Sequence, residues 1–482
     1  MPCCAFWVCS GGDDVGADIR VLSGYRYFGV LALAGIVSAC SHDISPSTPS
    51  AAELRGLVEG LGAQALESAL PQDEAQVALG AALFFDPILS GNRDQSCSTC
   101  HHPSLGLGDG RSLSVGTGAV IDQGVRLPGV DDSFTPRNTP ALFNLGQSSL
   151  RSMFWDRRLE QTDSGEFILH DVSYEATGVV RLSLAPRFDS LLAAQVALPL
   201  LIRDEMRGDA GEVDAEGRAN ELATVSDEDF DGVWRLVMQR LLESDAYRGM
   251  FEAAYPSRSV EELGIEDLAN ALASFFVSEF TLEDSPWDRF LRGDDEALEA
   301  AARRGAALFY GEAACSGCHS GTLLTDQGLH NLGVRPMGRG PTAAGFVDLG
   351  AAHRSNVGPE GEFTFRTPPL RNVAATGPWM HNGSITTLEG VVRHHLDARQ
   401  SLWAYDSTQL AYEMQEQVHH SLDVLEEVER GLDTGVETSV TLSDHEVADV
   451  VSFLEALSSP RIDELVFLIP DRVPSGLPLL DP

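Results

Sequence analysis

Two five-residue runs, CSTCH at 97–101 and CSGCH at 315–319, constrain this chain more than anything else in it. CxxCH is the attachment pattern of c-type haem. Two thiols add across the two vinyl groups of one porphyrin, and the next residue then offers an imidazole nitrogen to the iron. A single CxxC reads equally well as a redox pair or half a zinc site. The cysteine count argues against both: of eight cysteines, Cys3, Cys4, Cys9 and Cys40 fall in the first forty residues, and the other four all sit in these two pairs. The reading is therefore two c-type haems, attached at Cys97 with Cys100 and at Cys315 with Cys318. His101 and His319 are then the proximal iron ligands and His102 is incidental.

Haem attachment of this kind belongs to exported proteins, and the N-terminus reads as an export signal. Arg20 and Arg26 precede the apolar run YFGVLALAGIV, which is too short for an ordinary membrane-spanning helix. It ends in VSAC at Cys40, which resembles a bacterial lipobox, so Cys40 is expected to be lipidated and residues 1–39 removed. The stretch before Arg20 fits no signal-peptide region, and translation is expected to start further in. Residues 40–71 are Ser/Pro-rich at first and lack clear periodicity, as a tether from a lipid anchor would.

Beyond the tether the chain reads as mainly α with long loops. AQVALGAALFF at 75–85 has helical spacing and is closed by Asp86 and Pro87. Residues 90–138 are Gly-rich and poorly periodic. FDGVWRLVMQRLLES and EDLANALASFFVSEF place apolar residues three and four apart. An ALFF or ALFY helix end precedes each cysteine pair, at 82–85 and 307–310, so two similar units are implied. Their seam is expected near EDSPWDRFLRGDDEA, 283–297.

Charge narrows the partners. The formal charge is −39, from 72 acidic against 33 basic residues, and every basic residue is Arg. Nucleic acid is excluded as a partner, because phosphate binding needs a basic surface. A basic protein partner is favoured by long-range attraction. Without Lys, Schiff-base chemistry is impossible.

The blocks LGAALFFDPILSGNRDQSCSTCH, RNTPALFNLG, FWDRR, SPWDRFLRGD, LHNLGV and TPPLRNVAATGPWMHNGS resemble, in order, the signatures of bacterial di-haem cytochrome c peroxidases and their MauG-type relatives. The likeness runs over about residues 75–458. It implies two cytochrome-c-like helical domains, each with one covalently bound haem: a peroxidatic domain at 72–285, an electron-transfer domain at 286–470, and a tail at 471–482. Together with the export signal and lipobox, this places the protein on the periplasmic side of a bacterial membrane, held only by its lipid anchor, with the outer membrane as the expected one. A homodimer is compatible with it.

The resemblance also assigns residues. Gln195, Pro199 and Glu205 match a pattern in which the Glu is the distal acid/base that moves the proton during O–O cleavage. Gln195 would orient Glu205 or the peroxide. Trp155 matches a Trp lying between the haems. Asn138, Thr376 and Pro378 match the ligands of a calcium ion, which favours hard oxygens. The second axial ligand of the C-terminal haem lies nineteen residues after that Thr, at His395 in GVVRHHLDAR; His394 and Met380 are the weaker alternatives. Three departures stand out. Arg157 replaces the usual Gly after FWD, and an insertion occupies 159–191. Thr117 stands where many relatives carry a His that blocks the distal iron, which predicts an N-terminal haem open at rest unless His102 or His170 supplies the block.

Three functions follow. The first is reduction of hydrogen peroxide to water with electrons from a small cytochrome c or cupredoxin. The second is a MauG-type oxidase acting on a protein or small molecule. The third is a non-enzymatic electron-transfer lipoprotein with both irons saturated. Glu205 and Thr117 argue against the third.

Overall fold

A glycine begins each of the two echoed segments, GAALFF at 80–85 and GAALFY at 305–310, and in the computed structural model both glycines do the same thing. The helix Glu74–Phe85 crosses the helix Ile265–Glu279 so closely that a Cβ on Gly80 would lie 2.1 Å from the carbonyl oxygen of Ala271. The helix Ala300–Tyr310 crosses Asp444–Glu455 in the same way, and a Cβ on Gly305 would lie 1.8 Å from the oxygen of Asp449. Four residues beyond each contact stands a phenylalanine that meets the echoed aromatic: Phe84 and Phe275 have ring centroids 5.5 Å apart, Phe309 and Phe453 5.1 Å. The motif helix and last helix of each unit thus lock by one pattern, used twice.

The structure describes residues 47–480 apart from 123–124, 130–133, 171–180, 185–186, 342–344, 355 and 438. The expected signal peptide, Cys40 and the chain to residue 46 lie outside them, as does part of the 159–191 insertion. Among the described residues no helix is long and apolar enough to cross a membrane.

The described residues form one compact unit containing two main apolar cores. The first gathers Leu79, Phe84, Phe275 and Phe280 with Trp234 and Tyr247 from the helices Phe230–Leu242 and Asp245–Ala254. The second gathers Trp287, Phe309, Tyr310 and Phe453. The core changes between Leu282 and Trp287, where Ser285 caps the helix Pro286–Leu291. Edge-on pairs such as Trp287 with Phe453, 5.0 Å apart, each add about 0.5–1.5 kcal/mol beyond area burial.

One expectation needs correction, and two segments left open by the sequence gain structure. The tether at 40–71 is ordered from residue 47 onward. Ser50 and Glu53 form a capping box that starts the helix Ala51–Gly60, whose Leu54 and Val58 are buried in the second core. Residues 64–66 are pinned as well: Arg371 donates to the Gln64 carbonyl at 3.0 Å, and the Leu66 N–H donates to Asp288 at 2.9 Å. The tail is packed: Val473 is buried in the first core and Ser475 donates to Asp86 at 2.6 Å. Finally, strands occur where none were expected. Ser152–Met153, Leu159–Gln161, Phe167–His170 and Arg181–Ser183 form an antiparallel sheet in that order, with Met153 opposite Leu159 and Leu159 opposite Leu169. The 159–191 insertion therefore buries Leu159 and Phe167 in the first core.

Candidate active site

The first motif opens on a helical turn, Cys97–Cys100, and its His101 is turned so that Nδ1 meets the Leu107 carbonyl at 3.1 Å. The second repeats this, His319 Nδ1 meeting the Leu324 carbonyl at 3.1 Å. Both leucines are buried and both take a left-handed backbone, φ 60° and 53°, which aims their carbonyls back at the rings. A hydrogen bond at Nδ1 fixes the tautomer and leaves the Nε2 lone pair for a metal. Burial pushes His101 down to about 4, and burial with the neighbouring His395 pushes His319 down to about 4, so both rings are neutral. None of the four motif cysteines is paired in a disulfide. Burial lifts Cys97 to about 12 and Cys315 to about 11.

A cavity of about 480 Å³, mostly apolar, opens beside the second motif and is walled by Cys315, Cys318, His319, Trp379, Val391 and His395. His395, on the helix Leu388–Leu396, faces His319 with ring centroids 6.3 Å apart. Its Nδ1 is held by the Val391 carbonyl at 2.8 Å, and neither ring's Nε2 makes a hydrogen bond among the described residues. Two metal–imidazole bonds of about 2.0–2.1 Å end to end, with the ring radii added, reach roughly that separation. The residues fit a haem iron held between the two rings. His394 is spent elsewhere: Nδ1 bonds Ser401 Oγ at 2.7 Å and Nε2 the Leu332 carbonyl at 2.9 Å. Met380 stands on the cavity wall with φ 74°.

The same wall carries Asn138, Thr376, Pro378, Trp155 and Gln195. The Trp155 indole donates to the Asn138 carbonyl at 2.9 Å, and Asn138 Nδ2 donates to the Arg111 carbonyl at 2.7 Å. Gln195 Oε1 is buried with no hydrogen-bond partner among the described residues.

Glu205 lies away from this cavity, on the π-helical turn Arg203–Arg207 near the first motif, where its charge acts on Cys100. No hydrogen bond joins it to Gln195. Burial is the largest influence on its carboxyl and raises it to about 7, with Asp204 reinforcing the rise and Arg158 and Arg137 opposing it. The turn is clamped from two sides. Gly116 abuts the Asp204 carbonyl and the Thr117 N–H donates to the Glu205 carbonyl at 3.0 Å, while Arg339 pairs with Asp204. Thr117 turns its hydroxyl to Asp94 at 2.5 Å. The His102 ring is bonded to Ser104 at 2.7 Å, and His170 stands 3.8 Å from Glu160.

Sequence reasoning missed the charged groups behind these residues. Arg137 is buried and forked onto Asp348 at 2.6 and 2.9 Å, and also pairs with Asp156 at 2.8 Å. Asp156 in turn holds Arg158 at 2.9 Å. Both arginines lie in quoted blocks, RNTP and FWDRR, but buried ion pairs have no periodicity to betray them. His330 sits between Asp433 at 2.8 Å and Asp326 at 2.9 Å, and with Cys318 and Asp326 it forms the one metal-like cluster among the described residues. Since its cysteine belongs to the second motif, that cluster belongs with the motif.

The chain is similar to known proteins. A family model described as di-haem cytochrome c peroxidase matches residues 74–296. The chain is 30% identical to the methylamine utilization protein MauG of Methylorubrum extorquens, over 73% of this chain and 77% of that one. It is 28% identical to the cytochrome c551 peroxidase of Pseudomonas aeruginosa, over 67% and 72%. Among solved structures, a MauG-like protein associated with microbial copper homeostasis matches with a TM-score of 0.56 at 23% identity, over 83% of this chain and 95% of that one. The di-haem peroxidase BthA of Burkholderia thailandensis matches with a TM-score of 0.50 at 19% identity, over 87% and 94%. These two likenesses concern the fold.

Proposed function

The chain belongs to the di-haem cytochrome c peroxidase and MauG family, and from that premise we propose that it reduces hydrogen peroxide to water with electrons from a small periplasmic redox protein. One peroxide, two protons and two electrons become two waters. The observation that carries this reading is Glu205, a buried carboxyl near the first motif whose proton affinity burial has raised to about 7.

On this reading Cys97, Cys100 and His101 would hold one haem, and Cys315, Cys318, His319 and His395 would hold the other. When bound, the haems supply a Lewis-acidic iron and a store for oxidising equivalents. Glu205, as carboxylate, takes the proton from the attacking peroxide and returns it to the departing oxygen. A group with affinity near ambient pH serves both halves of that transfer. The clamp of Gly116, Thr117 and Arg339 keeps Glu205 in place. Trp155, fixed by Asn138 on a wall shared with Cys318 and His319, is suited to relay charge between the sites. The side chain of Asn138 and the carbonyls of Thr376 and Pro378 are the proposed calcium ligands, hard oxygens of the kind that Ca²⁺ prefers. His395 with His319 gives an iron without the thioether that raises potential, so this centre would be low in potential.

The formal charge of −39 favours a donor with a cationic face, whether cytochrome c or cupredoxin. The proposed domains are a peroxidatic unit at 72–285 and an electron-transfer unit at 286–470, tethered by Cys40 on the periplasmic side of the outer membrane.

A MauG-type oxidase is the second reading. It is favoured by Thr117, whose hydroxyl is committed to Asp94, so that this turn offers no blocking histidine. Peroxide added to the oxidised protein separates the readings. A Soret change with steady turnover of reduced cytochrome c supports the peroxidase, a Soret change without such turnover supports the oxidase, and no change leaves electron transfer alone.

A further inference from the structure

The short strand Phe365–Arg366 pairs with Leu329–His330 and runs past the loop that carries Trp155. Arg366 is 7% exposed. Its backbone N–H donates to the Trp155 carbonyl at 2.6 Å and its Nε to the Phe154 carbonyl at 2.9 Å. Those bonds use one of its five guanidinium protons. Nη1 is fully buried without a partner, and neither terminal nitrogen makes a hydrogen bond or ion pair among the described residues.

A buried guanidinium without a counter-ion is strongly disfavoured. Arg157 adds repulsion, and the carboxylate that attracts Arg366, Asp156, is already shared between Arg137 at 2.8 Å and Arg158 at 2.9 Å. What remains before Arg366 is the cavity, on whose wall it stands with His319, His395 and Trp155.

We propose that Arg366 is the seat of a carboxylate brought into this cavity by its occupant: a propionate of the haem attached at Cys315 and Cys318. The proposal rests on the haem reading of that motif. The two free nitrogens form the fork that a carboxylate accepts bidentately. Because the same residue also ties down the Phe154 and Trp155 carbonyls, it joins the acid edge of the haem to the loop of the relay tryptophan.

A fixed positive charge at that edge favours the ferrous iron, which carries one positive charge less than the ferric. In the haem-loaded protein, Arg366→Gln should shift the ferric/ferrous equilibrium of the low-spin centre about tenfold towards ferric, a fall of about 59 mV for a one-electron couple. Arg366→Lys, which keeps the charge, should stay closer to the parent. The centre at His101 serves as internal control in the same spectroelectrochemical titration. An unchanged low-spin potential in Arg366→Gln overturns the proposal, as does a wild-type potential that follows chloride concentration, which would make a small anion the partner. If Arg366→Gln does not load haem, the resonance Raman propionate bend of Arg366→Lys decides: a shifted bend supports the contact and an unshifted one overturns it. A mass corresponding to haem at Cys97 and Cys100 alone would instead overturn the haem reading of the second motif, and this proposal with it.

Discussion

His319 and His395 face each other across the cavity with ring centroids 6.3 Å apart, each ring held at Nδ1 by a main-chain carbonyl. The neighbouring His394 has both nitrogens engaged, by Ser401 and by Leu332. Adjacent helical residues point about 100° apart, so only one of the pair can enter the cavity. Replacing His395 with Ala should therefore abolish the low-spin signal of one centre in the electron paramagnetic resonance spectrum of the oxidised protein. His394→Ala should keep that signal and lose stability instead, by about 1–3 kcal/mol for the buried partners it strands. The reverse pattern would assign the iron to His394.

Glu205 gives a pH dependence whose sign is fixed. Its ordinary value of 4.5 is raised to about 7 by burial, so the carboxylate, the form that accepts the peroxide proton, is the minor species below neutrality. The rate constant for reaction with peroxide should rise with pH and level off above about 7. Glu205→Gln should lower that rate by about 10²–10⁴ and flatten the profile. A stability effect runs the opposite way, because the folded protein holds a proton that the unfolded chain releases. Stability should fall as pH rises from about 4.5 towards 7. A profile for Glu205→Gln that still climbs through neutrality would place the essential base elsewhere.

The parts legible in the sequence were those with rigid spacing. CxxCH fixes two thiols and an imidazole within five residues, and the positions of Cys97, Cys100 and His101 could be read without any fold. His395 was legible only by counting from Thr376 in a resemblance, since HH alone does not say which ring turns inward; the hydrogen bonds of His394 do. The helix Ala51–Gly60 was legible in principle, because SAAE at 50–53 is a capping-box sequence, but the Ser/Pro-rich chain before it outweighed four residues of signal. The sheet formed around the insertion was less so. Its strands are two to four residues long, below the length at which alternation separates from chance, and their pairing with Met153 lies outside the insertion itself. Arg366 had no sequence signal at all, because what marks it is the lack of a partner.

Arg157 occupies a backbone position that favours glycine. It takes φ 56°, in the left-handed region, and it pairs at 3.4 Å with Glu160. A side chain there costs about 1–2 kcal/mol. Arg157→Ala and Arg157→Gly both lose the ion pair, and only Ala keeps a Cβ in the strained position. Chemical denaturation should find the Gly variant more stable than the Ala variant by about 1 kcal/mol, the reverse of the order expected on an ordinary helix or strand. Equal stabilities would mean that the loop relaxes freely and that the departure from glycine carries no strain.

Gly80 and Gly305 make the two-unit repeat testable. In an exposed helix, Gly→Ala gains about 1 kcal/mol. Gly249, in the helix Asp245–Ala254, would meet nothing within 4 Å on gaining a Cβ, and Gly249→Ala should stabilise by about 0.5–1 kcal/mol. At Gly80 and Gly305 the added methyl would instead lie 2.1 Å and 1.8 Å from main-chain carbonyl oxygens of the partner helices. No side chain can yield there, so the helices must separate, at a cost of about 1–3 kcal/mol or more that exceeds the gain in propensity. Both variants should unfold at lower denaturant concentration than the parent. The perturbation should be local as well. Gly80→Ala should loosen the first core and broaden the spectral features of the centre at His101, and Gly305→Ala those of the centre between His319 and His395. If Gly80→Ala and Gly305→Ala both stabilised the protein as Gly249→Ala is expected to, the close helix crossings would not be the lock that the two units share.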